Sequence, residues 1–158
     1  MRAVLAIEVH DCVLVMVGNG VLEHEVRTIA AGNPSRFRIL PFQNQSRMPI
    51  VYRLGQLFVL PSAYGETWGL AVNEAMACGR PVLVSDRVGC AADVVTGDSG
   101  RIFPANDPDA LRRYLNMMIA DPKGLADMGK AAAKRAWAFD LSVTEAKLIE
   151  ALDHVCKR

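Results

Sequence analysis

A chain of 158 residues that is 51% hydrophobic and 22% charged is long enough to bury a core and unlike a disordered segment, and its formal net charge of +1 gives no broad pull toward nucleic acid or an anionic membrane. No stretch reaches the roughly 18 continuous apolar residues of a spanning helix. The opening run, MRAVLAIEVHDC, is interrupted by Glu8 and has no small-residue cleavage site, so it does not read as a signal peptide. Cys12, Cys78, Cys90 and Cys156 are scattered with no CxxC pair, the pattern of free thiols in a reducing compartment, and a cytoplasmic location is expected.

Short β-branched runs alternate with helical patterns along the chain. Residues 13–17 (VLVMV) read as a buried strand. Residues 21–31 place apolar side chains at 21, 22, 26, 29 and 30, one face of a helix. A second strand is expected at 36–40 (RFRIL). A short helix follows at 48–55, with Ser46 as a candidate cap, Pro49 in its first turn and Gly55 closing it. The third strand spans 57–62 and is ended by Pro61. The next helix spans 68–78 and is closed by Gly79 as a left-handed cap. A fourth strand (81–85), a turn, a short helix (91–95) and a fifth strand (99–103) come next. Asp107 and Pro108 open one helix as cap and first position, and Asp121 and Pro122 repeat the device. DLSVTEAKLIEALDHVCKR ends the chain as a further helix. This alternation predicts an α/β fold: one Rossmann-like domain over residues 1–158, a parallel sheet with helices on both faces.

Several motifs have plain explanations. GNG at 18–20 follows the first strand, where a doubly wound fold places a phosphate-binding turn, but Glu23 stands where the third glycine of a dinucleotide fingerprint belongs. A simple strand-to-helix turn accounts for it equally well. DPD at 107–109 sits where a helix cap belongs. His10, His24 and His154 are isolated, and no His or Cys cluster has metal-ligand spacing. There is no GxSxG, and Cys78 reads as packing a helix end. Lys134 and Arg135 are expected on the solvated face of an alanine-rich helix.

In GETWGLAVNEAMACGRP (65–81), several features agree. The strand ending in LPS leads through the loop AYGETWG into a helix whose first turn is Gly69, Leu70 and Ala71. The first backbone N–H groups of a helix bind anions, a glycine lets a phosphate approach, and the C-terminal end of a parallel strand is where α/β folds bind ligands. Glu74 lies about one turn up the helix, where a carboxylate accepts two hydrogen bonds from a vicinal diol such as a ribose. Glu66, in the loop, is placed to meet another part of the same ligand. By spacing alone, a loop glutamate and a solvated helix glutamate explain the pair as well.

The string resembles the signature of the retaining glycosyltransferases of the GT-B fold, glycosyltransferase family 4, whose C-terminal, donor-binding domain carries an E-x7-E motif, here ETWGLAVNE. LFVLPS before it, AMACGRPVLVSD, VGCAADVV and SGRIF after it, and LVMVGNG and RFRILPF upstream extend the likeness over residues 3–150. The resemblance implies that Glu74 holds the ribose hydroxyls of a nucleotide sugar. It implies that Glu66 contacts the transferred sugar and stabilises charge at its anomeric centre. The backbone amides of Gly69 and Leu70 would hold the diphosphate, with Thr67 and Trp68 beside them in the donor site. The turn from Pro41 to Asn44 would border the base. It implies no metal and no cofactor besides the nucleotide-sugar substrate, and transfer with retention to a polysaccharide or glycolipid. The family often has Phe where Trp68 stands. It usually has Glu where Asp93 stands, after a paired-glycine turn that here is Gly89-Cys90.

Two parts of a complete GT-B enzyme have no counterpart in the chain: the acceptor-binding half, and the first strand of the donor domain with its GR and KG. That strand would lie between those at 13–17 and 57–60. RAVLAIEV (2–9) aligns with the helix after it, and only three residues separate it from the next strand, too few for a parallel crossover. A rearranged sheet edge is therefore expected, or a partner, either an acceptor domain or a second copy, that covers it, and the chain alone is expected to be a poor catalyst. The alternatives are a free-standing nucleotide-sugar-binding module or subunit without independent catalysis, and a remnant that folds and binds nothing.

Overall fold

The computed structural model describes residues 12–156, so the RAVLAIEV run lies outside the described part. In chain order the elements are β1 (Leu14–Val17), α1 (Glu23–Ala31), β2 (Phe37–Leu40), α2 (Met48–Leu54), β3 (Phe58–Leu60), α3 (Leu70–Ala77), β4 (Val82–Ser85), α4 (Ala91–Val94), β5 (Gly100–Phe103), α5 (Pro108–Ile119), α6 (Pro122–Ala136), a 3-10 turn (Trp137–Phe139) and α7 (Leu141–Cys156). The expected strands and helices are all present, with their ends moved by a residue or two.

Every ladder is parallel. β1 pairs with β2, Leu14 opposite Phe37. β4 lies between β3 and β5, with Val82 opposite both Phe58 and Gly100. Among the described residues no ladder joins the two-stranded sheet to the three-stranded one. Among the described residues the strands thus form two separate sets, β1–β2 and β3 to β5.

β4 explains the layering. All four of its residues are fully buried, as a central parallel strand requires. Val82 and Val84 pack with Tyr52, Val72, Met76, Val94 and Ala132, from α2, α3, α4 and α6. Leu83 packs into a second cluster with Phe37, Phe103, Ala110, Leu115 and Met118. Helices therefore cover both faces, and the second cluster also takes in Leu14 and Val59, so one core spans both sheets.

The helix signals act as their chemistry dictates. Asp107 accepts from the Ala110 N–H at 2.8 Å, and Asp121 from the Gly124 N–H at 2.9 Å. Gly79 is left-handed (φ +73°), and the N–H groups of Gly79 and Arg80 return to the carbonyls of Met76 and Ala75 at the end of α3. Gly55 closes α2 as expected, in an extended conformation. Two expectations need correction. Ser46 does not cap α2: its hydroxyl bonds Asn44 Oδ1, and Arg47 takes the cap position. Arg135 is not on a solvated face: it donates to the carbonyls of Asp93 and Val94 at the end of α4 and lies over the Phe139 ring. A guanidinium at a helix C-terminus satisfies carbonyls that the helix leaves open.

Candidate functional site

The loop from β3 to α3 is laid against the turn that follows β4. The Gly89 N–H donates to the Glu66 carbonyl at 3.2 Å, and the Cys90 N–H to the Trp68 carbonyl at 2.8 Å. Cys90 Sγ lies 3.8 Å from the Gly69 carbonyl. At the far end of the loop the fully buried Ser85 hydroxyl donates to the Ser62 carbonyl. These bonds explain why α3 starts at Leu70 and not at the expected Trp68. The Trp68 carbonyl is engaged by Cys90, and Gly69 has φ +93°, which no right-handed helix accommodates.

Gly69 is therefore the hinge that turns the loop into the helix. A Cβ there would stand 2.8 Å from Val88 Cγ1 and 3.6 Å from Glu66 Cγ, so the Glu66 side chain runs beside the opening of α3. The Val72 N–H is bonded to the Gly69 carbonyl at 2.8 Å, while the N–H groups ahead of it belong to the first turn, which has no intrahelical acceptors. Leu70, at the first helical position, is exposed. The arrangement is a glycine-opened helix end with one carboxylate at its rim.

Glu74, one turn further, is half-buried and held at both oxygens. The Tyr52 hydroxyl donates to Oε2 at 2.7 Å, and Gln45 Nε2 donates to Oε1 at 2.5 Å. Tyr52 is buried in the core, edge-on to Phe58 with ring centroids 5.5 Å apart. Burial, then the hydrogen bond and negative charge of Glu74, push its hydroxyl well above the ordinary value. A carboxylate has about four acceptor positions, so each oxygen keeps capacity for a further donor.

The other expected residues surround this core. Thr67 is exposed, with its carbonyl against Gly89. Trp68 is partly exposed and donates its indole N–H to Asn73 Oδ1 at 3.1 Å. Pro41 and Asn44 lie in the exposed segment between β2 and α2, where the Pro41 carbonyl accepts from Gln43 and Asn44 Oδ1 from Ser46. The next residue, Gln45, brings this segment onto Glu74. Tyr52 and Gln45 were missed by the sequence reading: an aromatic in a helix pattern reads as core, and a loop glutamine carries no pattern. Asp93 is exposed, and its carbonyl is taken by Arg135. Among the described residues, no group of three or more His, Cys, Asp or Glu could hold a metal ion, and no helix is long and apolar enough to cross a membrane. All four cysteines are free thiols.

The family described as Glycosyl transferases group 1 matches residues 1–135. A D-inositol 3-phosphate glycosyltransferase of Nocardiopsis dassonvillei is 35% identical over 113 residues, 72% of this chain and 26% of that protein. A phosphatidyl-myo-inositol mannosyltransferase of Mycolicibacterium smegmatis is 28% identical over 145 residues, 92% of this chain and 37% of that protein. The chain thus spans about a quarter of the length of the first relative and under two-fifths of the second. Among solved structures, HepE of Anabaena in complex with UDP superposes with a TM-score of 0.81 at 22% identity, over 97% of this chain and 43% of that one. Its fold is that of the GT-B glycosyltransferases, and the share covered fits their C-terminal half. By sequence and by fold, the chain belongs to the group 1 family of glycosyl transferases.

Proposed function

We propose that this chain is the donor-binding half of a retaining glycosyltransferase, moving a sugar from a nucleotide sugar to a polysaccharide or glycolipid acceptor. The observation that carries the reading is the opening of α3: left-handed Gly69 at the helix end, Glu66 beside it and Glu74 one turn along. The solved complex of HepE with UDP supports the nucleotide part of this reading, and the relatives named as a glycosyltransferase and a mannosyltransferase support the sugar transfer. The diphosphate lies at the amides of Gly69 and Leu70, where the helix end favours negative charge without a metal. Thr67 and Trp68 flank it. Glu74 accepts hydrogen bonds from the ribose hydroxyls, and Pro41 and Asn44 border the base.

In the transfer, the bond from the anomeric carbon to the diphosphate oxygen breaks and the acceptor oxygen bonds the same face of that carbon. The acceptor's proton leaves with the diphosphate. Glu66 contacts the sugar and its carboxylate offsets the positive charge that grows at the anomeric carbon. An acceptor domain or a second copy of the chain completes the site, and the reaction takes place in the cytoplasm. A thermal-shift screen of nucleoside diphosphate sugars tests the reading, because a ligand that binds the native state raises the melting midpoint. A rise with one base and sugar is expected. A flat response to all of them would sink the proposal.

A further inference from the structure

The buried ring of Tyr52 would be filled equally well by phenylalanine, so its hydroxyl needs a reason. A buried hydroxyl is costly without a partner, and this one is given to Glu74 Oε2 at 2.7 Å, a short bond to a charged acceptor. Gln45 holds the other oxygen at 2.5 Å, from the segment that contains Pro41 and Asn44. A free glutamate side chain samples several rotamers, whereas this one is fixed from α2 and from the segment leading into it. We propose that Tyr52 and Gln45 are positioning residues of the donor site: they lock the Glu74 carboxylate so that its remaining acceptor positions are set for the two hydroxyls of a ribose. The proposal rests on the donor-site reading above. Through Gln45 it also ties the base-bordering segment to the ribose contact.

A hydroxyl that merely satisfied itself in the core would produce a Tyr–Glu bond too, and the two roles separate by ligand chemistry. The test is calorimetric titration of the full chain with the diphosphates of uridine, guanosine and adenosine, each against its 2′,3′-dideoxy analogue, which lacks the diol. For the base that binds, the ribose form is expected to bind about tenfold or more tighter than the dideoxy form, as expected for hydrogen bonds to a charged group. Tyr52→Phe is expected to weaken the ribose form about tenfold and leave the dideoxy form unchanged, with Gln45→Ala acting the same way by about threefold. An equal loss on both forms, or none on either, would overturn the positioning role. Glu74→Ala in parallel separates this from the underlying reading. If no diphosphate binds, or if Glu74→Ala keeps the preference for ribose, the donor-site reading falls and the proposal with it. If Glu74→Ala abolishes the preference while Tyr52→Phe keeps it, only the positioning role falls.

Discussion

Gly89 passes so close to the Thr67 carbonyl that a Cβ on it would stand 1.9 Å from that oxygen and 2.6 Å from its carbon. The obstacle is backbone, not the tip of a flexible side chain, so a side chain at 89 must displace the loop that carries Glu66. Gly89→Ala should lower the thermal midpoint and weaken nucleoside diphosphate binding tenfold or more, read by melting and titration of the same sample. Unchanged affinity would mean the loop from Glu66 to Gly69 is not part of the site.

Glu66 and Glu74 should fail differently. Glu66 lies at the rim of the helix opening, on the side assigned to the sugar, so Glu66→Gln should leave the affinity for a nucleoside diphosphate within about twofold and weaken the sugar-bearing donor by about tenfold, a loss on the scale of one charge-assisted hydrogen bond. Parallel titrations with UDP and UDP-glucose, or the pair of whichever base binds, measure the split. Equal losses on both ligands would place Glu66 with the nucleotide.

The caps offer a control remote from the site. Asp107→Ala and Asp121→Ala each remove the acceptor of a first-turn N–H and should cost about 1 kcal/mol of stability by denaturant unfolding. Neither should change nucleotide affinity.

The Tyr52 hydroxyl gives a pH prediction. Its folded pKa is raised above the ordinary value of 10.0, chiefly by burial and then by Glu74. The folded chain thus holds this proton more tightly than the unfolded chain. The stability it contributes is complete below about pH 10 and is lost as pH rises beyond it toward the folded value, at no more than about 1.4 kcal/mol per pH unit for one proton. Melting from pH 8 to 11 should show a steeper alkaline fall in the wild type than in Tyr52→Phe. Parallel curves would contradict the raised pKa.

Much of this was legible in the sequence because local chemistry dominates there. VLV at the start of β4 is a continuous apolar run because both its faces are covered. The two Asp-Pro openings carry their own cap and first residue. The strand, loop and helix pattern over residues 57–78 placed Glu66 in a loop and Glu74 in a helix, where they are found. What escaped was decided by contacts distant in sequence. The start of α3 depends on Cys90, 22 residues beyond Trp68, engaging its carbonyl. Arg135 reaches back to the end of α4, and Tyr52 and Gln45 meet Glu74 only once α2 and α3 are side by side. Periodicity assigns such residues to core or solvent and is silent about their partners.

The proposed donor site requires Glu74 and the glycine-opened end of α3 to bind a nucleoside diphosphate. Isothermal titration of UDP, GDP and ADP into the full chain and into Glu74→Ala addresses it most directly. One diphosphate should bind the wild type, and Glu74→Ala should weaken it tenfold or more. No binding by any of the three, or equal affinity in the variant, would contradict the account.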